Sequence, residues 1–297
     1  MMTGKKRRKT GARGSKLRND VTMEGKALNR KKNNTSRKNM KNKNRDAKKT
    51  DLGNKFFVYG RNIVEEALIH SAKYIEKIYF SSKKKKNQKG IEDLAISKGL
   101  RPEYIDDDEI AEFISENDAQ GCIAVFNKFA YRDIDDALRL ADIRGEKPLV
   151  LVLDRIEDPR NLGAIIRTAR CAGVHGIIIA KDRAAGITPT VAKVSEGAIF
   201  SIPCIMVTNL AAALKDLKQR GFWVYAADAN GDSCFEQEFG GSVALVLGNE
   251  GKGISKLCLN ESDYKVSIPM VNDFDSLNVS VAAGILMYEI VRKNNRF

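Results

Sequence analysis

Cysteine and histidine are scarce, and the few present are scattered. The five cysteines (Cys122, Cys171, Cys204, Cys234, Cys258) form no CxxC pair, and His70 and His175 are the sole histidines. That pattern excludes a disulfide framework and a zinc cluster of ordinary spacing, and it points to a reducing compartment. No apolar run reaches membrane-spanning length, and the N-terminus has no apolar stretch of the kind a secretory signal needs. The 23 glycines and six prolines are too few for a fibrous or low-complexity chain. A soluble, cytoplasmic protein without a metal is therefore expected, and its 297 residues suffice for about two domains.

What the chain has in excess is positive charge, and that excess is local. Residues 1–50 hold 19 Lys/Arg against Asp20, Glu24 and Asp46, a surplus of 16, so a total of +13 leaves the other residues at −3. The basic segment has almost no aromatics and no apolar periodicity, which predicts a disordered extension. Clusters such as Lys5-Lys6-Arg7-Arg8-Lys9 suit a polyanion, RNA first, and equally a solubilising or targeting extension.

From Phe56 to Phe129 short elements alternate: a helix over Ile63–Ala72, a strand over Ile75–Phe80, a helix near Ile91–Lys98 stopped at Gly99, an acidic helix around Asp108–Glu116 and an apolar strand over Gly121–Phe126. This reads as a small α/β domain, residues 56–129, followed by a linker over 130–147 with a short helix near Ile134–Ala141. Residues 148–297 then read as strands (Leu149–Leu153, Gly176–Ala180, Trp223–Ala227, Val243–Leu247) separated by helices (Leu162–Ala172, Asn209–Arg220, Val279–Arg292). Continuous apolar strands between amphipathic helices predict an α/β fold with a parallel sheet covered on both faces.

Ligands of such sheets bind beyond the C-terminal strand ends, which singles out three segments. Asp154 to Gly163, running into Arg167, combines an Asp158-Pro159 turn with Asn161, a candidate helix cap, and an arginine two turns further on. Leu247-Gly248-Asn249-Glu250-Gly251-Lys252-Gly253 follows an apolar strand with three glycines that leave backbone groups open to a ligand. It is neither a dinucleotide fingerprint nor a phosphate loop, and Glu250 serves either as a functional acid or as a partner for a helix N-terminus. Ile268-Pro269-Met270 to Ser276-Leu277-Asn278 precedes an apolar helix that Ser276 or Asn278 can cap.

In this order the three segments resemble the motifs of the SpoU-type (TrmH/RlmB-like) RNA ribose 2′-O-methyltransferases of the SPOUT superfamily, and Tyr59-Gly60-Arg61-Asn62 with Gln120-Gly121 resembles the two ends of the L30e-like RNA-binding domain joined to the large-subunit members. The resemblance implies a C-terminal α/β-knot, a deep trefoil, and a homodimer that uses S-adenosyl-L-methionine on RNA. It places the cofactor at Leu247, Gly248, Asn249, Gly251, Ile268, Met270 and Leu277, and gives catalytic or substrate-orienting roles to Asn161, Arg167, Glu250, Ser276 and Asn278. Arginine stays protonated, which favours Arg167 as a phosphate-positioning or alkoxide-stabilising group, with proton acceptance, the family proposal, as the other role. Glu250 is a candidate to tune that arginine. One departure stands out: in Ser195-Glu196-Gly197-Ala198 a carboxylate occupies a place where a small residue is more usual in the family; facing RNA it would repel phosphate, and the alternatives are solvent or pairing with Lys193 or Arg183. The implied target is a guanosine of large-subunit ribosomal RNA; a transfer-RNA target and a non-catalytic ribosome-assembly factor are the alternatives. The apolar face of the last helix, with Val281, Ile285, Leu286 and Ile290, suits a dimer surface and equally the chain's own core, so the homodimer is what the resemblance implies.

Overall fold

The computed structural model describes residues 55–83, 88–106, 109–110, 121–271 and 276–294. The basic segment 1–50, most of the expected acidic helix and Asn272 to Asp275 lie outside the described residues.

The first layer is a mixed sheet built from β1 (Phe56–Tyr59), β2 (Ile75–Ser81), β3 (Pro102–Ile105) and β4 (Cys122–Phe126), in the order β1-β4-β2-β3. Helix α1 (Arg61–Ser71) lays Ile63, Val64, Ala67 and Leu68 on it, and α2 (Lys89–Ser97) contributes Ile91 and Ala95. Helix α3 (Ile134–Arg144) follows; Asp133 and Asp136 form a reciprocal capping box, and the left-handed Gly145 ends it.

The second sheet holds β5 (Leu149–Asp154), β6 (Gly176–Ala180), β7 (Cys204–Val207), β8 (Phe222–Ser233), β9 (Ser242–Gly248) and β10 (Tyr264–Ser267), in the order β10-β8-β9-β5-β6-β7. Every adjacent pair is parallel. Both faces are covered, and the alternation along β5 shows how: Leu149, Leu151 and Leu153 join one core cluster, Val150 and Val152 the other. The first face packs under α4 (Pro159–Cys171), α5 (Pro189–Val194) and α8 (Val279–Lys293); the second takes α6 (Leu210–Gln219) and α7 (Lys256–Glu261).

The structure alters several expectations. Helix α4 begins at Pro159 and is capped by Asp158, whose side chain accepts from the Arg160 amide; Asn161 thus sits inside the helix and does not cap it. β8 continues past the expected end at Ala227 to Ser233 through polar residues, because β10 pairs with that extension across a register shift at Lys265/Val266. β7, β10, α5 and α7 are further elements that periodicity does not reveal. On α8, Leu286 and Ile290 belong to the chain's own core, whereas Val281 is half exposed.

Candidate active site

The three segments meet at the C-terminal strand ends. Asp154, the last residue of β5, lies in register with Gly248, the last of β9, so the loops that follow leave from one edge. Gly248 is required there, since a Cβ would come 2.4 Å from the Gly253 carbonyl carbon. The turn folds back on itself through a bridge between Asn249 and Gly253, and the Asn249 Oδ1 accepts from the amides of Gly251 (3.0 Å) and Lys252 (3.2 Å).

Glu250 joins this turn to the other two segments. Its Oε1 accepts from Asn161 Nδ2 at 2.9 Å and from Asn278 Nδ2 at 2.7 Å, and Asn278 Nδ2 also donates to Asn161 Oδ1 at 3.1 Å. The same Oε1 accepts from the Val279 amide at 3.3 Å, which puts a carboxylate at the N-terminus of α8 where the helix dipole favours it. Asn278 caps that helix by accepting from the Ser280 amide at 2.9 Å. Three chain segments are thereby tied into one polar cluster, and Glu250 supports the helix beginning at residue 279, not the shorter one that follows it in sequence.

Arg167 stands outside this cluster. Its guanidinium is 4.0 Å from Glu196 and largely exposed, so its nearest acidic partner is Glu196 and not Glu250. Glu196 holds a left-handed backbone (φ 51) directly before Gly197. At about 60% exposure the arginine retains most of its hydrogen-bonding capacity for an incoming group.

An apolar cavity of about 160 Å³ opens beside the cluster, walled by Ala227, Val266, Ile268, Met270, Leu277 and Leu286 and edged by Asp228 and Ser276. It brings together Ile268, Met270, Ser276 and Leu277 from the sequence-derived set; Leu247 is buried in the core, so only its backbone can serve a ligand. The wall is largely apolar, while Asp228, not anticipated from sequence, adds a carboxylate to the lining. A larger cleft of about 300 Å³ lies between His70, Tyr74, Arg132 and Phe200, and it contains no residue of the three motifs. The chemistry therefore points to the smaller cavity.

Two further residues escaped the sequence reading. Asp154 is almost wholly buried and accepts from the Ser255 amide at 2.6 Å; Arg155 reaches the Gly253 carbonyl at 3.1 Å. Nothing in residue type or spacing announces this pair, because its partners lie about a hundred positions away. The cysteines offer no nucleophile at the site: burial pushes the Cys122 and Cys204 thiols up to about 12. No group of three His, Cys, Asp or Glu among the described residues could hold a metal ion, and no helix there is long and apolar enough to cross a membrane.

Comparison with known proteins agrees with this geometry. Residues 148–288 match the SpoU rRNA Methylase family, and residues 57–132 match the RNA 2′-O ribose methyltransferase substrate binding family. YacO of Bacillus subtilis, assigned to the TrmH family of tRNA/rRNA methyltransferases, is 41% identical over 241 residues, covering 80% of this chain and 96% of that protein. The SpoU methyltransferase AviRb of Streptomyces viridochromogenes, solved with the cofactor AdoMet, superposes with a TM-score of 0.69 at 26% identity, covering 84% of this chain and 94% of its own. An AdoMet-bound rRNA methyltransferase of Sinorhizobium meliloti shares the fold, with a TM-score of 0.67 at 24% identity over 83% and 90% of the two chains.

Proposed function

The chain belongs to the SpoU/TrmH family of RNA methyltransferases, and from that premise we propose that it transfers a methyl group to a ribose 2′-hydroxyl of structured RNA, a guanosine of large-subunit ribosomal RNA. The methyl donor is S-adenosylmethionine. The observation that carries the reading is the single cluster in which Asn161, Glu250 and Asn278 join three distant segments beside an apolar cavity. A substrate-binding match over residues 57–132 adjoining the catalytic match supports RNA as the acceptor, and the ribose is the position its description names.

The sulfonium of the donor makes its methyl carbon electrophilic, so the protein's task is alignment and assistance to proton loss. The Gly248–Gly253 turn presents its backbone, and Ile268, Met270 and Leu277 offer apolar wall; together they would hold the adenine and the apolar carbons next to the sulfonium. Asn161, Glu250 and Asn278 act as a brace, fixing the turn against α4 and α8. Arg167, exposed and permanently protonated, positions the RNA phosphate and steadies negative charge as it develops on the 2′ oxygen. Ser276 edges the cavity.

On this reading residues 56–129 form the L30e-like RNA-holding domain, 130–147 the linker and 148–297 the methyltransferase domain with its trefoil knot. The protein works in the cytoplasm as a homodimer. The half-exposed Val281 and the fully exposed Val271 supply apolar surface for a second copy.

The test is labelled methyl transfer from S-adenosylmethionine to unmodified total RNA, resolved into ribosomal and transfer pools. Label confined to large-subunit RNA, and lost in Arg167→Ala with the fold intact, is the expected result. Label confined to transfer RNA moves the target to that class; no label in either pool, with cofactor and RNA both bound, makes the chain an assembly factor.

A further inference from the structure

The glycine turn is bolted to the sheet by a residue that pays for the position in backbone conformation. Arg155 has φ 60, in the left-handed region that a glycine enters freely and an arginine does not. Its Nη2 donates to the Gly253 carbonyl at 3.1 Å, and its own carbonyl accepts from Asn249 Nδ2 at 3.1 Å. Both ends of the Asn249–Gly253 loop are therefore fastened to one residue. Asp154 completes the fixture: its Oδ2 accepts from the Ser255 amide at 2.6 Å, just past the turn, and its Oδ1 lies 3.3 Å from Arg155 Nε, within ion-pair range without hydrogen-bond alignment. The pair is sheltered, with Asp154 at 6% and Arg155 at 23% side-chain exposure, so solvent does little to loosen it.

We propose that Arg155 is a positioning residue for the cofactor, holding the Gly248–Gly253 backbone in the conformation that S-adenosylmethionine binds. This rests on the reading that the turn takes that cofactor. A ligand recognised through backbone groups gains no affinity from a mobile loop, because the ordering entropy is then charged against binding. The left-handed φ directs the Arg155 carbonyl towards Asn249 while its side chain reaches Gly253. A glycine would keep the first contact and abolish the second.

That asymmetry supplies the experiment. Arg155→Gly relieves the backbone and removes only the guanidinium contacts; Arg155→Lys keeps the charge beside Asp154 but has a single donor head that cannot serve Asp154 and Gly253 together. Calorimetric titration of the full chain with S-adenosylmethionine, without RNA, gives Kd; thermal unfolding and RNA affinity are measured on the same samples. Arg155→Gly is expected to stay folded with a modestly lowered Tm, since relief of the left-handed backbone only partly offsets the lost guanidinium contacts, to bind the cofactor roughly tenfold more weakly, and to put the kinetic loss on KM for the cofactor with kcat near wild type. Arg155→Lys falls between the two. A merely structural contact would lower Tm without moving KM. A Kd within about twofold of wild type in Arg155→Gly overturns the proposal, as does a loss confined to RNA affinity, which would make Arg155 an RNA contact. A wild-type chain that fails to bind S-adenosylmethionine sinks the cofactor reading and the clamp with it, whereas a wild type that binds and a glycine variant that binds equally well sink the clamp alone.

Discussion

Glu250 illustrates what a single residue does here and how little of it is visible in sequence. Its place in a turn with three glycines offers a functional acid or a helix partner, and only the folded chain shows that the helix it serves begins 29 positions later, at Val279. Arg167 is the converse case: its exposure follows from its helix position, but its neighbour Glu196 comes from the end of a separate helix, which spacing along the chain does not reveal. The thiols give a direct test at this scale. Cys171 is exposed, whereas Cys122, Cys204, Cys234 and Cys258 are buried, and burial raises the pKa of each of these four. Since a thiolate is the reactive form, its population at neutral pH falls as the pKa rises. Titration with a thiol reagent at pH 8 is predicted to modify one cysteine quickly and the other four only on unfolding; fast reaction of several would contradict the core described.

At the scale of elements, strand and helix alternation in residues 148–293 was legible because buried parallel strands are continuously apolar. The misses share a cause. β10 is an edge strand with the polar sequence Tyr-Lys-Val-Ser, and its partner stretch on β8 runs through Asp228 to Ser233, so neither carries an apolar signature. β7 and α5 are too short, at four and six residues, for periodicity to distinguish them from loop. The start of α4 was misplaced because Asp158 and Asn161 are both good caps, and Pro159 at the first helical position settles the choice for Asp158. The packing of α4 on α5 is close at Gly163, where a Cβ would lie 2.6 Å from the Val194 Cβ. Gly163→Ala is predicted to destabilise the fold by ~1–3 kcal/mol through overpacking, read as a lower urea midpoint. Asn278→Ala removes a helix cap and a member of the polar cluster, and should cost about 1 kcal/mol in stability with a larger fall in methyl transfer. Equal activity with reduced stability would leave the cluster a structural feature only.

Across the whole molecule, the all-parallel second sheet sends its loops to one edge, and that general property explains why the segments after β5 and β9 could be chosen from sequence before their contacts were known. The clamp around Arg155 was not legible, because a left-handed arginine leaves no mark on composition or spacing. Assembly is tested at this scale: sedimentation of the wild type is predicted to give twice the 33.0 kDa chain mass, and Val281→Glu, placing a charge on a half-exposed apolar position of α8, to shift it towards monomer. A wild-type monomer at working concentration would contradict the homodimer. On the proposed function, Asn161, Arg167, Glu250 and Asn278 make one site for methylation of ribose. The most direct measurement is digestion of enzyme-treated ribosomal RNA to nucleosides, with the position of the new methyl read by mass spectrometry. A single 2′-O-methylguanosine that disappears with Arg167→Ala is the predicted result; methyl on a base, or 2′-O-methylation undiminished in that variant, would contradict it.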